Sequence, residues 1–290
     1  MSVRPIAVAK NSTTGRAVKW SRAAAMRALA AAAPGFADAL VYDLFGTPQR
    51  SAWPPPEAPG LETHTFRHDE LAVHDWGAGR TVLLVHGWNG ASAQLSPFVE
   101  PLVRAGYYVA ALDLPAHGAS GGRHTTVAGF ADAISRVGRR LGPVHAVVAH
   151  SLGAAGAIWA LADGLQAERA VLLAPAVNLP RFPRGFARFL GYSPAQADRF
   201  VAYLGRRVGR PDFDLRKLAP LMRPRLLVLH DPADREVPVE DGKDLAAAWP
   251  GGLFEAIPGA GHTRLLRNAD VVRKTIQFVT ESTAPVSLTA

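Results

Sequence analysis

The 290-residue chain contains no cysteine. Disulfide frameworks, cysteine-based zinc sites and cysteine nucleophiles are thereby excluded. No stretch approaches the roughly 18 consecutive apolar residues of a membrane span. Charge is also sparse: 19% of residues are charged against 48% hydrophobic, which describes a packed globular protein rather than a disordered one. Acids are missing from the N-terminus, where Arg4, Lys10, Arg16, Lys19, Arg22 and Arg27 all precede Asp38. Nucleic-acid signatures are missing too, with no RNP-type aromatic motif, zinc finger or dense Lys/Arg block. The net charge of +8 is therefore read as an arginine-rich composition, and no nucleic-acid partner is expected. The lack of disulfides suits a reducing compartment. Arg27 interrupts the Ala-rich run "AAAMRALAAAA", which argues against a secretory signal. A cytoplasmic location is expected.

What is present falls into two parts. Residues 1 to about 15 read as a flexible start, Trp20 to Ala33 as a helix broken at Pro34-Gly35, and the following residues to Phe45 as a second helix. Phe36, Leu40, Val41, Leu44 and Phe45 recur there at helical spacing, and this apolar face is expected to pack on the body of the protein rather than on a membrane. "GTPQRSAWPPPEAPG", residues 46 to 60, is a Pro-rich linker in which no regular element can persist. The expected division is an N-terminal helical extension with linker, residues 1–60, and a main domain, residues 61–290.

The main domain begins with a β-hairpin turning near His68-Asp69. Short continuous apolar strands follow in "TVLLVHGW", "YYVAALDL", "VHAVVAHS", "RAVLLAP" and "PRLLVLHD", separated by helical segments. This alternation predicts an α/β fold: a mostly parallel twisted sheet with helices on both faces. About residues 177–213 the alternation breaks into helical pieces without a core strand, predicting a small helical cap insertion rich in arginine.

Two serines compete as a nucleophile. "GASGG", residues 118–122, satisfies the pattern G-x-S-x-G, whereas "AHSLGA", residues 149–154, has Ala149 in place of the first glycine. A nucleophile elbow requires a sharp strand-to-helix turn with small residues two before and two after the serine. Ser151 follows the apolar strand Val144–Ala149, precedes a helix, and has Gly153 behind it. Ser120 lies well past the strand Tyr107–Leu112, and Gly121-Gly122 is a poor helix start. Ser151 is the expected nucleophile and Ser120 a loop residue.

A serine hydroxyl needs a histidine base oriented by a carboxylate, and on such a sheet the chain order is Ser, acid, His. Only His230 and His262 follow Ser151. His262 lies in a glycine-rich loop beyond the strand "LFEAI", while His230 ends a strand and reads as structural. "HDPADREVP" offers Asp231, Asp234 and Glu236 as acids. Asp234, on the turn after the strand end, can reach a neighbouring loop and is preferred over Asp231.

The segments "LLVHGWNG", "LDLPAHGASGG", "AHSLGA", "LHDPADREVP" and "GAGHTRLL" occur in an order and spacing that resemble the α/β-hydrolase fold superfamily over about residues 65–280. The resemblance implies a Ser151, Asp234, His262 triad and an oxyanion hole from the backbone N–H groups of Trp88 and Leu152. It also implies that the loop carrying Ser120 is not nucleophilic. The departures are Ala149 and Ala154 at elbow glycine positions. His86 is expected to brace the loop after its strand, His150 to face the scaffold, and Trp88's ring either to line an acyl pocket or to pack.

The reading that follows is a cofactor-independent serine hydrolase, without a metal, acting on small-molecule carboxylic esters through an acyl-enzyme. Acyl transfer, thioester cleavage, perhydrolysis and peptidase activity use the same triad, and a noncatalytic binder could share the fold. A membrane-associated lipid hydrolase anchored by its basic N-terminal helices is a further alternative, although membrane contact is not the expected outcome.

Overall fold

In the computed structural model, residues 13–50, 53–210 and 213–281 are described. In chain order the elements are α1 (Thr13–Ala32), α2 (Pro34–Phe45), β1 (His64–His68), β2 (Leu71–Trp76), β3 (Arg80–Val85), α3 (Ser96–Arg104), β4 (Tyr107–Leu112), α4 (Val127–Leu141) and β5 (Val144–His150). They continue with α5 (Ser151–Ala162), β6 (Ala167–Leu173), α6 (Arg181–Phe189), α7 (Pro194–Val208), β7 (Arg225–His230), α8 (Val239–Ala248), β8 (Leu253–Ala256) and α9 (Ala269–Thr280). Two compact units result, one of residues 1–45 with 180–211 and the other of residues 46–179 with 212–290.

The larger unit holds an eight-stranded sheet in the order β1-β2-β4-β3-β5-β6-β7-β8. The pairs β1–β2 and β2–β4 are antiparallel, and every later pair is parallel. The hairpin turns at Asp69, whose φ of 55° is the left-handed conformation a tight turn requires. Central β5 is buried at every position because helices cover both faces. On one face Leu84, Leu102, Val148, Leu229, Leu265 and Phe278 form part of a continuous core with α3 and α9. On the other, α5 packs on α4 closely enough that a Cβ at Gly156 would approach Phe130 Cβ to 2.8 Å. The run of small residues from Gly153 to Ala157 keeps α5 slim, and a slim helix lies close to the sheet.

The smaller unit consists of α1, α2, α6 and α7 around Ala30, Ala37, Val41, Ala187, Tyr192, Ala197 and Phe200. Pro34 begins α2, where a missing N–H costs nothing and φ is already helical. Buried Asp38 receives two hydrogen bonds from Arg199 (3.0 and 3.1 Å) and one from Tyr192 (3.1 Å), tying α2 to α7. Ser193 and Gln196 form a capping box at the start of α7.

Two expectations change. α1 already begins at Thr13, seven residues before Trp20; the start expected to be flexible otherwise lies outside the described residues. The apolar face of α2 divides: Ala37 and Val41 are buried, whereas Phe36, Leu40 and Leu44 are exposed. Burying an α-helical stripe on one side leaves residues near 100° away in solvent.

Candidate active site

Ser151 joins β5 to α5 with φ of +53°, a strained conformation for a non-glycine residue. Neighbouring contacts hold it there. A Cβ on Gly153 would stand 2.0 Å from the His86 carbonyl oxygen, so the first turn of α5 fits beside β3 only without a side chain. Ala149 is completely buried in β5, paired with Val85 on β3 and Leu172 on β6. As an ordinary strand residue it needs no glycine.

Three side chains meet at this turn. His262 Nε2 lies 2.9 Å from Ser151 Oγ, and His262 Nδ1 lies 2.7 Å from Asp234 Oδ2. One tautomer satisfies both contacts: Nδ1–H donates to the carboxylate, leaving Nε2 to accept the serine proton. Burial would raise the pKa of Asp234, yet hydrogen bonds from His230, His262 and the N–H groups of Glu236 and Val237 hold it well below the usual carboxylate range. His230 approaches the same carboxylate at 3.3 Å and the Val237 carbonyl at 3.1 Å. It supports the acid and does not touch the serine.

Asp231 is directed elsewhere. It accepts hydrogen bonds from Ala233 N–H (2.9 Å) and from Gly261 N–H, so it ties its own turn to the loop carrying His262. Its pKa is lowered, chiefly by the Ala233 N–H bond. Exposed Glu236 comes to 4.0 Å of His262 Nε2. An open cavity of about 550 Å³ beside His262 is lined by Arg235, Glu236 and Arg264, among others.

The loop after β3 reaches the same point. Gly87 passes so close that a Cβ there would stand 3.0 Å from Ser151 Cβ. His86 donates through Nδ1 to the Gly87 carbonyl (2.7 Å) and accepts through Nε2 from Leu114 N–H (3.0 Å), and burial lowers its pKa. His117 accepts from Asn89 N–H at 3.1 Å, while Asn89 Oδ1 accepts from Gln49 N–H at 2.8 Å. Burial, reinforced by His86, pushes the His117 pKa down to about 4. Trp88's ring packs between His117 (5.4 Å) and Phe130 (5.6 Å). Leu152 is the second residue of α5, so its N–H lies outside the helical hydrogen-bond ladder.

Ser120 is buried, 1% exposed, and its hydroxyl is committed. It donates to the Asp113 carbonyl (2.5 Å) and accepts from Ala72 N–H (2.8 Å). Arg50 clamps the same loop through the carbonyls of Ala116, Ser120 and Gly122. Asp113 closes the arrangement by accepting from Ser92 and Ala119 N–H groups, each at 2.8 Å.

His150 was expected to face the scaffold but lies against His262, with ring centroids 4.7 Å apart. Its Nε2–H donates to the His262 carbonyl at 3.1 Å, and its Nδ1 is buried without a hydrogen-bond partner. Its only sequence signal is adjacency to the serine. Among the described residues, no group of three or more His, Asp or Glu side chains is placed to hold a metal ion.

No curated protein sequence matches the chain. An esterase from Thermogutta terrifontis shares the fold at TM-score 0.55 and 21% identity, over 76% of this chain and 99% of that one. An esterase from Exiguobacterium antarcticum does so at TM-score 0.55 and 17% identity, over 73% and 96%. A membrane phospholipase A described as a bacterial virulence factor matches at TM-score 0.58 and 18% identity, over 93% and 98%. At these identities the likeness is one of fold. The model of the alpha/beta hydrolase family matches residues 82–274, about two thirds of the sequence, and the chain belongs to that family.

Proposed function

We propose that the protein is a serine hydrolase that cleaves carboxylic esters through an acyl-enzyme. The observation carrying this reading is the continuous Ser151–His262–Asp234 hydrogen-bond chain, built on a serine held at positive φ. Ser151 Oγ attacks the acyl carbon while His262 Nε2 takes its proton. Asp234 holds the histidine tautomer and stabilises the imidazolium that forms. The N–H groups of Leu152 and Trp88 donate to the oxyanion, a contribution commonly worth about 3 kcal/mol per donor. His262 then returns the proton to the leaving alcohol, and water, activated by the same histidine, releases the acid. The esterase fold neighbours support the ester assignment. Acyl transfer differs only in the nucleophile of the second step.

Labelling with a fluorophosphonate probe tests the assignment. The unmodified protein and Ser120→Ala should label, and Ser151→Ala should not. Ser120→Ala should be less stable by about 1–3 kcal/mol, because Ala72 N–H loses its buried acceptor. Label retained by Ser151→Ala would overturn the mechanism, and an unlabelled wild type would favour a noncatalytic binder. An ester panel of graded acyl length would then assign the substrate.

A further inference from the structure

The net charge of this protein is segregated. By sequence, the helical unit formed by residues 1–45 and 180–211 carries thirteen Lys and Arg against three acids, Asp38, Asp43 and Asp198. The remaining residues carry nineteen basic and twenty-one acidic side chains. The helical unit thus stands at +10 and the sheet-bearing unit at −2, so the overall +8 is a property of one unit. Arg22, Arg27, Arg181, Arg188, Arg206 and Arg207 are exposed on it.

The same unit leaves large apolar side chains in solvent. On α2, Phe36 is 66%, Leu40 37% and Leu44 44% exposed. Their spacing of four residues aligns them along one face over about 12 Å of helix. They are not required by the core of the unit, which α2 supplies through Ala37 and Val41. Phe189, ending α6, is 82% exposed. An aligned apolar stripe on a strongly basic unit marks an interaction surface.

We propose that the helical unit docks on an anionic lipid bilayer, with Phe36, Leu40 and Leu44 entering the headgroup region and the arginines engaging lipid phosphates. Each half of the pattern has a use there. Basic side chains are drawn to an anionic leaflet, and the apolar face of an interfacial helix sinks to the headgroup–acyl boundary. A nucleic-acid duplex would take the arginines, but its bases are stacked inward and it offers no apolar surface to Leu40 and Leu44. A second copy would bring two units of +10 together. Among the described residues no helix is long and apolar enough to cross a membrane, so the contact is peripheral in this part of the chain. The inference concerns where the protein resides and does not depend on the reaction at Ser151.

The test uses the full chain and vesicles of equal phosphatidylglycerol and phosphatidylcholine, against phosphatidylcholine alone. The protein should cosediment with the anionic vesicles and, at about tenfold or more lower affinity, with the neutral ones. The triple variant Phe36→Ser, Leu40→Ser, Leu44→Ser should lose about tenfold or more of the anionic-vesicle affinity. Its thermal unfolding and its turnover of a water-soluble ester should stay unchanged. Because the chain has no cysteine, Leu40→Cys provides a unique site for an environment-sensitive fluorophore. That label should shift to the blue with anionic vesicles, while one at Glu62→Cys on the other unit should not. The proposal is overturned by any of four results: no cosedimentation with anionic vesicles, an unmoved label at position 40, equal binding by wild type and triple variant, or tighter binding to a DNA duplex. A concentration-dependent dimer abolished by the triple variant would assign the stripe to self-association instead.

Discussion

His150 and His262 lie ring against ring, and the N–H of one holds the backbone carbonyl of the other. The residue immediately before the proposed nucleophile therefore grips the residue proposed as its base, setting their separation through one side chain. Burial, and then the neighbouring His262, pushes the His150 pKa down to about 3, so it stays neutral near neutral pH beside the imidazole proposed as the base.

A positional role predicts that His150→Leu lowers kcat about 10- to 100-fold with little change in KM. His150→Gln, whose amide can replace the Nε2–H donor, should recover most of that loss. Steady-state kinetics beside thermal melts separate the two effects. If both variants show the same kcat at equal stability, the hydrogen bond to His262 has no positioning role.

The two aspartates of "HDPAD" should behave differently. Asp234→Asn leaves the shape intact but favours the wrong His262 tautomer, and kcat should fall about 10³- to 10⁴-fold. Asp231→Asn should cost about tenfold or less, because an amide oxygen can still accept from Ala233 or Gly261 N–H. Equal losses would show that the acid had been misassigned.

Small residues at the elbow are predicted to be unequal. Ala149→Gly should retain fluorophosphonate labelling and lose about 0.5–1 kcal/mol of stability, since glycine adds chain entropy in a strand. Gly153→Ala should lose activity and about 1–3 kcal/mol or more, because its methyl meets the His86 carbonyl oxygen at 2.0 Å. Chemical denaturation and probe labelling read both.

Acid sensitivity should come from buried histidines before carboxylates. His117 and His150 have folded pKa values near 4 and 3, below the ordinary 6.5 expected on unfolding. The unfolded chain thus binds more protons between those values, so stability is full above about pH 6.5 and falls as pH drops toward 4 and 3. Asp234 is also depressed, but its contribution begins to be lost only below about pH 4, the ordinary carboxylate range. Melts of His117→Gln, which keeps an acceptor for Asn89, should fall less steeply between pH 6.5 and 4 than wild type. An unchanged slope would remove His117 from the account.

Much of the sheet and of the candidate site's arrangement was legible because it is written locally. Each apolar strand, its flanking turn and the next helix are neighbours in sequence, and Ser151 was separable from Ser120 by what precedes and follows each within ten residues. The direction of His150 was not legible, because β5 is buried on both faces and alternation there says nothing about which loop arrives above it. The turn position of Asp234 was legible, but the task of Asp231 was not, because only the arriving loop presents Gly261 N–H to Asp231 and the His262 imidazole to Asp234.

By itself, the sequence determined the order of strands and helices, the local form of the elbow, and which residue types were available for chemistry, since these depend on near neighbours along the chain. Only the tertiary structure decided that Asp231 accepts from Gly261 N–H, that Ser120 spends its hydroxyl on Ala72 and Asp113, and that His150 lies against His262. It also decided that two basic segments more than 130 residues apart share one core, and that Phe36, Leu40 and Leu44 remain outside it. The physical reason is the same in each case: contacts between distant segments depend on which surfaces the packed core brings together, and no local pattern encodes that choice.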